Sequence, residues 1–234
     1  MQFTKLPFVN KYEGETIEIN GSRHYVSPKG NYPSITTVLS ATDDPTWLAK
    51  WRERVGEEKA NEISLAATTK GTGLHSLCEN YIIGEEINSV KDIPGGSKTM
   101  FNQLKPVIDK NLTAYWISEV ALYSDKLAIA GRTDLIGLWR DIPSVIDFKS
   151  NHSTNNKKED NIDDYKIQVC FYGVAFNEMY PELPKIEKGV LLIASLFHRQ
   201  VFEFDIMEKH KELLERREDY AKMFEAPKEK IVWF

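Results

Sequence analysis

The chain has 234 residues, of which 41% are hydrophobic and 28% charged, and its formal net charge is −5. This composition predicts a packed domain and excludes a disordered chain. The negative charge argues against a uniformly basic protein that coats nucleic acid, although a local phosphate-binding cleft is compatible with it.

The two cysteines limit the metal and redox chemistry open to the chain. Cys78 and Cys170 both lie in helix-like apolar stretches, which predicts buried free thiols. Two cysteines cannot supply a four-cysteine zinc or iron–sulfur site, so we expect no iron–sulfur cluster.

The first 30 residues contain no apolar signal region, and the apolar run at 190–197 is too short to span a bilayer. We therefore expect an intracellular protein without a membrane partner.

The first 32 residues contain short strand-like runs around one strong turn signal. Residues 16–19 and 24–26 flank Asn20-Gly21, a pair that favours a tight β-hairpin turn. We predict an N-terminal β-hairpin and turn segment over residues 1–32, followed by a single domain over residues 33–234.

Residues 33–112 have a helical pattern. Ser34 is a candidate N-cap for a short helix. A longer helix is predicted over residues 45–70, a new one after the glycines of 71–73, and another after the Gly-Gly pair at the start of 95–112. This region would precede a sheet.

Residues 113–205 have the pattern of a sheet core. Three strand-like runs at 114–125, 127–141 and 143–151 are separated by short turns, and a polar stretch at 151–164 predicts a mobile loop. The remaining predicted elements are a helix (165–180), a buried strand (187–197), a partner strand (199–206) and a closing helix (206–225). The order predicts an α/β fold with a central mixed sheet flanked by helices.

Two acids and a lysine lie on neighbouring strands of this sheet. Antiparallel strands joined by a short turn would bring Asp134 close to Asp147, and Lys149 shares the strand face of Asp147. Adjacent carboxylates repel unless a cation lies between them, and magnesium or manganese prefers such oxygen ligands. Lys149 could then stabilise charge on a phosphoryl oxygen or hold an attacking water. A solvated Asp–Lys ion pair is the alternative.

Two further pairs are spaced i, i+4 on predicted helices, so each pair shares a helix face. Gln168 and Tyr172 form one pair, and His75 and Glu79 form the other. Alone, the first pair is also typical of a helix boundary, and the histidine is also typical of a hydrogen-bonded structural residue.

Together these segments resemble a known group of enzymes. GRTD (131–134), IDFK (146–149) and QVCFY (168–172) resemble the GxxD, (D/E)xK and QxxxY motifs of RecB-like nucleases in the PD-(D/E)XK superfamily, and GTGLHSLCE (71–79) is similar to their helix-borne histidine motif. Over roughly residues 30–205 the order of segments most resembles the mitochondrial genome maintenance exonucleases and their phage and bacterial relatives. This implies a restriction-endonuclease-like core, with the N-terminal helical region forming part of the substrate channel.

The resemblance also implies roles for individual residues. The metal site would hold two magnesium or manganese ions, and its ligands would be His75, Asp134, Asp147 and the backbone carbonyl of Phe148. The catalytic set would be Asp134, Asp147, Lys149, Gln168 and Tyr172, in which Gln168 and Tyr172 orient the lysine or the nucleic-acid backbone. Glu119 either approaches the metals or faces solvent.

Four residues are candidates for the substrate side of the site. Ser34 and Thr36 open a helix, where backbone N–H groups and hydroxyls bind phosphate, although simple N-capping is the alternative. Arg132 could reach a phosphate. Glu79 either orients His75 or is its exposed neighbour.

The sequence therefore predicts a metal-dependent deoxyribonuclease, an exonuclease that prefers single-stranded DNA and acts in replication, recombination or repair. We expect a monomer in the cytoplasm of a bacterial or phage-infected cell rather than in the mitochondrial matrix, with replication or recombination proteins as partners. No G-x-x-x-x-G-K-[ST] loop is present, which favours a stand-alone enzyme. The alternatives are a catalytically silent nucleic-acid-binding module of the same fold and a hydrolase of another phosphodiester.

Overall fold

A computed structural model describes residues 3–44, 46–86 and 93–225, and its centre is a six-stranded sheet. The strands of the chain are β1 (Thr4–Lys5), β2 (Thr16–Ile19), β3 (Ser22–Ser27), β4 (Gly30–Pro33), β5 (Leu112–Ser124), β6 (Ile129–Trp139), β7 (Ile142–Ser150), β8 (Lys188–Ala194) and β9 (Arg199–Asp205). The large sheet has the order β1-β5-β6-β7-β8-β9. The β1–β5 and β7–β8 pairs are parallel and the other pairs antiparallel, so the sheet is mixed, as predicted.

Helices cover both faces of this sheet. They are α1 (Ile35–Ala41), α2 (Thr46–Val55), α3 (Glu57–Ile83), α4 (Gly95–Asn111), α5 (Asp163–Met179) and α6 (His210–Phe224). One hydrophobic cluster joins the sheet to α1, α5 and α6, and includes Ile136 and Val145. A second cluster joins it to α3 and α4, and includes Leu135 and Ile146. Neighbouring residues of β6 and β7 thus enter opposite cores, which explains why these strands are apolar on both faces.

The predicted N-terminal hairpin is confirmed. The β2 and β3 strands pair around Asn20 and Gly21, whose φ angles of 51° and 74° are those that a tight hairpin turn requires. The β4 strand completes a three-stranded sheet, and Tyr25 packs with Ala121 and Ala130 of the large sheet. The division of the chain into a segment and a domain at residue 33 stays a prediction, and residues 226–234 of that domain lie outside the described residues.

The boundary between the second and third helices lies at a different glycine from the one that the sequence predicts. The chain breaks at Gly56, where φ is 84°, and α3 then continues through Gly71 and Gly73, where the sequence predicts a new helix. A Cβ on Gly73 would lie 2.6 Å from Ser97 Oγ, so this glycine lets α4 pack closely against α3. The prediction was wrong here because tertiary packing outweighs the cost of about 1 kcal/mol for glycine inside a helix.

The polar stretch after β7 is largely a loop, as predicted, and hydrogen bonds anchor it; its mobility stays a prediction. Asn151 is buried, and its side chain donates to the carbonyl of Asn155 (2.9 Å) and accepts from the Ser153 amide (3.0 Å). Gln200 on β9 accepts from the Lys157 amide (2.7 Å) and donates to its carbonyl (2.9 Å). The polar composition of this stretch therefore reflects local hydrogen bonding as well as exposure.

Both cysteines, Cys78 and Cys170, are buried and free, as predicted. Across residues 3–44, 46–86 and 93–225, no helix is both long enough and apolar enough to cross a membrane.

Candidate metal centre and catalytic site

The sheet opens into a fork between β6 and β7. The pairing of these strands starts at Trp139 and Ile142 and ends at Leu135 and Ile146, whereas β7 stays paired with β8 as far as Ser150. Asp134 and Asp147 are the next residues after the last pair, so both acids lie where the strands separate. Backbone and carboxylate groups of both strands therefore face the same opening.

The side chain of Asp134 occupies this opening. Its Oδ2 accepts a hydrogen bond of 2.7 Å from the Phe148 amide, which replaces a ladder bond between the strands. Its Oδ1 lies 3.0 Å from Nδ1 of His75, which reaches the fork from α3. The His75 ring also makes an edge contact with the Phe148 ring. The fold therefore brings together two residues that are 59 positions apart in the sequence.

Glu119 completes a cluster of metal-ligand type. One ligand atom from each of His75, Glu119 and Asp134 lies within 4.8 Å of the others. Glu119 is on β5, between Ser118 and Val120, which pair with Leu135 and Thr133 of β6. Of the two interpretations that the sequence allows, approach to the metals fits this geometry and a solvent-facing residue does not.

The backbone of Glu119 has an unusual conformation for a strand. Its φ is 52°, and the other described non-glycine residues with positive φ (Asn20, Ala128, Arg140 and Asp141) all lie in turns. Such a conformation costs about 1–3 kcal/mol in a residue with a side chain. Because alternation along a strand assumes regular backbone angles, this residue's direction could not be read from the sequence pattern.

Asp147 and Lys149 form a buried ion pair at the same opening. The Lys149 ammonium lies 2.5 Å from Asp147 Oδ2, and the exposed fractions of the two side chains are 16% and 2%. Burial, together with repulsion from Asp134, raises the pKa of Asp147 to about 6, although Lys149 opposes this rise. Burial lowers the pKa of Lys149, but the carboxylates of Asp147 and Asp134 outweigh it and raise the pKa, so the ammonium stays charged.

Several carboxylates around Asp134 repel one another, and this repulsion shifts their pKa values. Burial raises the pKa of Glu119 to about 7, with further contributions from Asp134 and Glu79. Burial would also raise the pKa of Asp134, but His75 and Lys149 outweigh it and lower the pKa. For His75, burial is outweighed by the Asp134 carboxylate, which raises the pKa. A divalent cation is the natural partner for such a set of acids.

The donor types fit a divalent metal ion. His75, Glu119 and Asp134 offer one imidazole nitrogen and carboxylate oxygens, and Asp147 lies at the other side of the fork. The roles of Asp147 and of the Phe148 carbonyl as ligands stay predictions, because the compact three-residue cluster does not include them.

Gln168 and Tyr172 meet on α5, as their spacing predicts. Gln168 Nε2 donates to the Tyr172 hydroxyl at 2.8 Å. Burial and the nearby Asp147 carboxylate raise the pKa of Tyr172 well above its ordinary value. A Cβ on Gly131 would lie 2.9 Å from Cε1 of Tyr172, so the glycine of GRTD makes room for the tyrosine of QVCFY.

Tyr165 is a neighbour of the lysine that the sequence analysis did not identify. Its ring centroid lies 5.4 Å from Nζ of Lys149 and 5.6 Å from Nζ of Lys157. A signal was present, because Tyr165 is three residues before Gln168 and seven before Tyr172 on one helix face. Cations at this distance from an aromatic ring are attracted to it.

The candidate substrate residues have more varied positions. Ser34 is the buried N-cap of α1 and accepts from the Thr37 amide, while Thr36 Oγ1 accepts from Arg23 at 3.0 Å. Arg132 is exposed, and its guanidinium donates to the backbone carbonyl of Glu119. The observed N-cap agrees with the structural alternative for Ser34, and phosphate binding at Ser34 or Thr36 stays a prediction.

Glu79 lies one helical turn after His75 and is half-buried. Burial raises its pKa, with contributions from Glu85 and Asp134. Glu79 therefore adds to the negative field of the cluster, and its role toward substrate stays a prediction.

Comparison with known proteins decides the family. A family model described as the PD-(D/E)XK nuclease superfamily matches residues 97–232, more than half of the chain. The chain belongs to the PD-(D/E)XK nuclease superfamily. This confirms the superfamily to which the three strand and helix motifs point, and the narrower resemblance to RecB-like nucleases stays a prediction. Because the match begins after α3, the place of His75 in the PD-(D/E)XK site depends on the geometry alone.

The other comparisons add little to the superfamily assignment. No curated protein matches the chain. Among solved structures, one titled "Crystal structure of SSO0001" is 20% identical, with a TM-score of 0.35. The alignment covers 51% of this chain and 55% of that one, so the chain spans about half the length of this relative. PD-(D/E)XK nucleases are metal-dependent hydrolases, and this chain has a mixed sheet and an acidic cluster of the kind that such an enzyme needs.

Proposed function

We propose that this protein is a metal-dependent deoxyribonuclease, an exonuclease that prefers single-stranded DNA. The observation that carries the proposal is the fork between β6 and β7, where buried acids meet one charged lysine and one histidine. A structural ion pair would need only Asp147 and Lys149. The additional acids, Glu119 and Asp134, favour a site that holds metal next to a phosphate.

His75, Glu119, Asp134 and Asp147 are the residues that would hold the metal. A bound divalent ion would polarise the phosphate and make a water molecule more acidic. The proposal for two ions, magnesium or manganese, extends beyond the compact three-residue cluster.

Lys149 acts in this proposal as a fixed positive charge. Its raised pKa keeps the ammonium protonated, so it would stabilise charge on a phosphoryl oxygen and not accept a proton. Asp147 and the ring of Tyr165 hold the ammonium in place. Tyr172 stays protonated as well, and with Gln168 it would orient the substrate backbone or the lysine.

The preference for a single strand is supported by the helices before the sheet. Residues 61–66 of α3 are exposed on every side, and Ile63 and Leu65 are 42% and 70% exposed. Only the later part of α3, from Gly73, contributes to the core under the sheet, apart from Ala60. An exposed helical arm of this kind would leave room for one flexible strand more readily than for a duplex. Ser34 and Thr36 at the start of α1 are the proposed phosphate contacts.

The wider setting is also part of the proposal. From the motif resemblance alone, we assign the protein a role in replication, recombination or repair. The same resemblance groups it with the mitochondrial genome maintenance exonucleases and their phage relatives, and favours a cytoplasmic monomer.

The test uses single-stranded DNA labelled at the 5′ end, labelled at the 3′ end, or circular, each with and without a matching duplex. We expect manganese- or magnesium-dependent release from one end, inhibition by EDTA, and no cleavage of circles. The isosteric variants Asp147→Asn and Lys149→Met should lose cleavage while their circular dichroism spectra remain those of the wild type. Lys158→Met, a change of an exposed lysine, is the matched control and should retain activity.

Three results would contradict parts of the proposal. Metal-independent binding without cleavage would favour the silent nucleic-acid-binding module. Equal rates on single strands and duplexes would exclude the strand preference. Activity retained in both Asp147→Asn and Lys149→Met would exclude the site itself.

A further inference from the structure

The unusual backbone of Glu119 needs support from the residues around it. Its φ of 52° occurs in the middle of β5, where Ser118 and Val120 on either side remain paired with β6. The left-handed conformation is uncommon for a residue with a side chain and persists only where surrounding contacts impose it. The position of the Glu119 carboxylate beside His75 and Asp134 therefore depends on what holds this peptide.

Arg132 donates a hydrogen bond to this peptide. It lies on β6 opposite Ala121, two residues along β5 from Glu119. Its Nη1 donates to the Glu119 carbonyl at 2.5 Å, and its Nη2 donates to the Glu13 carbonyl at 3.3 Å. Both acceptors are backbone carbonyls, so the planar guanidinium links the N-terminal segment to the peptide of Glu119.

Gly14 fixes the other end of this link. Its φ is 76°, and an added Cβ would lie 2.2 Å from Cβ of Ala121 and 3.3 Å from Nη2 of Arg132. The segment therefore passes closely over β5, and only glycine allows the approach.

We propose that Arg132 is a positioning residue of the metal site: it holds the left-handed peptide of Glu119 so that the carboxylate reaches His75 and Asp134. This rests on the proposed function insofar as the cluster binds metal. It assigns to Arg132 a role different from a phosphate contact, and it involves the N-terminal segment in metal binding.

The experiment measures manganese binding to the whole protein without DNA, by calorimetry or by electron paramagnetic resonance. Residues that orient metal ligands typically change metal affinity by about 10–100-fold. We expect Arg132→Met and Glu119→Gln each to weaken manganese binding by about this factor, and the double variant to bind no more weakly than Glu119→Gln alone. Arg132→Lys should restore part of the loss, because an ammonium can still donate to the Glu119 carbonyl.

Two other variants test whether the effect on manganese binding is specific to this contact. Gly14→Ala keeps the charge of Arg132 but displaces the segment that fixes it, and should also weaken manganese binding. Arg23→Met removes another arginine of the N-terminal region, one that contacts Thr36, and should leave manganese binding unchanged. Circular dichroism and urea denaturation establish that each variant is folded.

A second measurement separates positioning from phosphate contact. DNA binding in EDTA is titrated at several salt concentrations, and we expect the salt slope of Arg132→Met to equal that of the wild type. Unchanged manganese affinity in Arg132→Met, or a slope reduced by about one phosphate contact, would overturn the proposal.

If the wild type binds manganese but cleaves no nucleic acid, the proposed function fails while the positioning role is still tested. If the wild type binds no manganese, the positioning role fails too.

Discussion

Replacement of Gly131 by alanine tests the link between the GxxD and QxxxY motifs. Gly131 is on β6, and the ring of Tyr172 lies against it from α5. An added Cβ would lie 2.9 Å from Tyr172 Cε1, 3.1 Å from Ile35 Cγ2 and 3.4 Å from Phe171 Cε1. All three neighbours are buried, so none of them can move into solvent.

The size of the effect follows from this geometry. Optimal carbon contacts are at about 3.5–4.0 Å, so the Tyr172 ring must move by about 0.6–1 Å. Overpacking of this kind costs about 1–3 kcal/mol. A stabilising effect of about 0.4–1 kcal/mol, from the smaller entropy of the unfolded chain with alanine, acts in the opposite direction. We expect a net loss of up to about 2.6 kcal/mol, with displacement of the Tyr172 hydroxyl from Gln168.

The assay is urea denaturation of Gly131→Ala and Tyr172→Leu, singly and combined, together with cleavage rates. Leucine at position 172 removes the ring edge that the new methyl group would meet, so Gly131→Ala should cost less in that background. Gly95→Ala is the matched control, because nothing lies within 4 Å of its added Cβ, and it should leave stability unchanged or raise it.

Equal costs of Gly131→Ala in the two backgrounds would refute the proposed contact between the motifs. So would a variant with wild-type stability and wild-type cleavage rate, since the geometry leaves no other way to accommodate the methyl group.

Three further predictions concern the metal, the lysine and the loop. Manganese at about 100 times its Kd should raise the free energy of unfolding by about 2.7 kcal/mol, and this gain should be absent in Asp134→Asn; an equal gain in that variant would place the metal elsewhere. Tyr165→Leu removes a ring contact of Lys149 that is typically worth about 0.5–2 kcal/mol. We therefore expect kcat to fall by about 2–30-fold, with little change in DNA affinity. An unaltered kcat would show that the ring does not hold the ammonium. Gln200→Ala removes two hydrogen bonds to the Lys157 backbone, so trypsin should cut after Lys157 faster than in the wild type; an unchanged cutting rate in limited proteolysis would contradict the anchoring of this segment.

The sequence predicted most of the secondary structure because the relevant signals are local. The alternation and length of the apolar runs predicted β5 to β9, and the Asn20-Gly21 pair predicted the hairpin. The breaks near Gly56 and at 71–73 were predicted less well, since whether a glycine interrupts a helix depends on the surface that packs against it. The anchoring of the polar loop could not be predicted for a similar reason, because the hydrogen bonds from Gln200 come from a strand 43 residues away.

The candidate site divides in the same way. The sequence by itself determined that Asp134, Asp147 and Lys149 would lie on neighbouring strands, because strand period and turn length are local properties, and the motifs identified the superfamily. Only the tertiary structure decided that the strands separate at these residues, that His75 reaches Asp134 from another helix, and that Glu119 points into the cluster. The last of these depends on a single backbone angle of 52°, imposed by Arg132 and a distant segment, and no period along the chain encodes an angle that is set by contacts between remote residues.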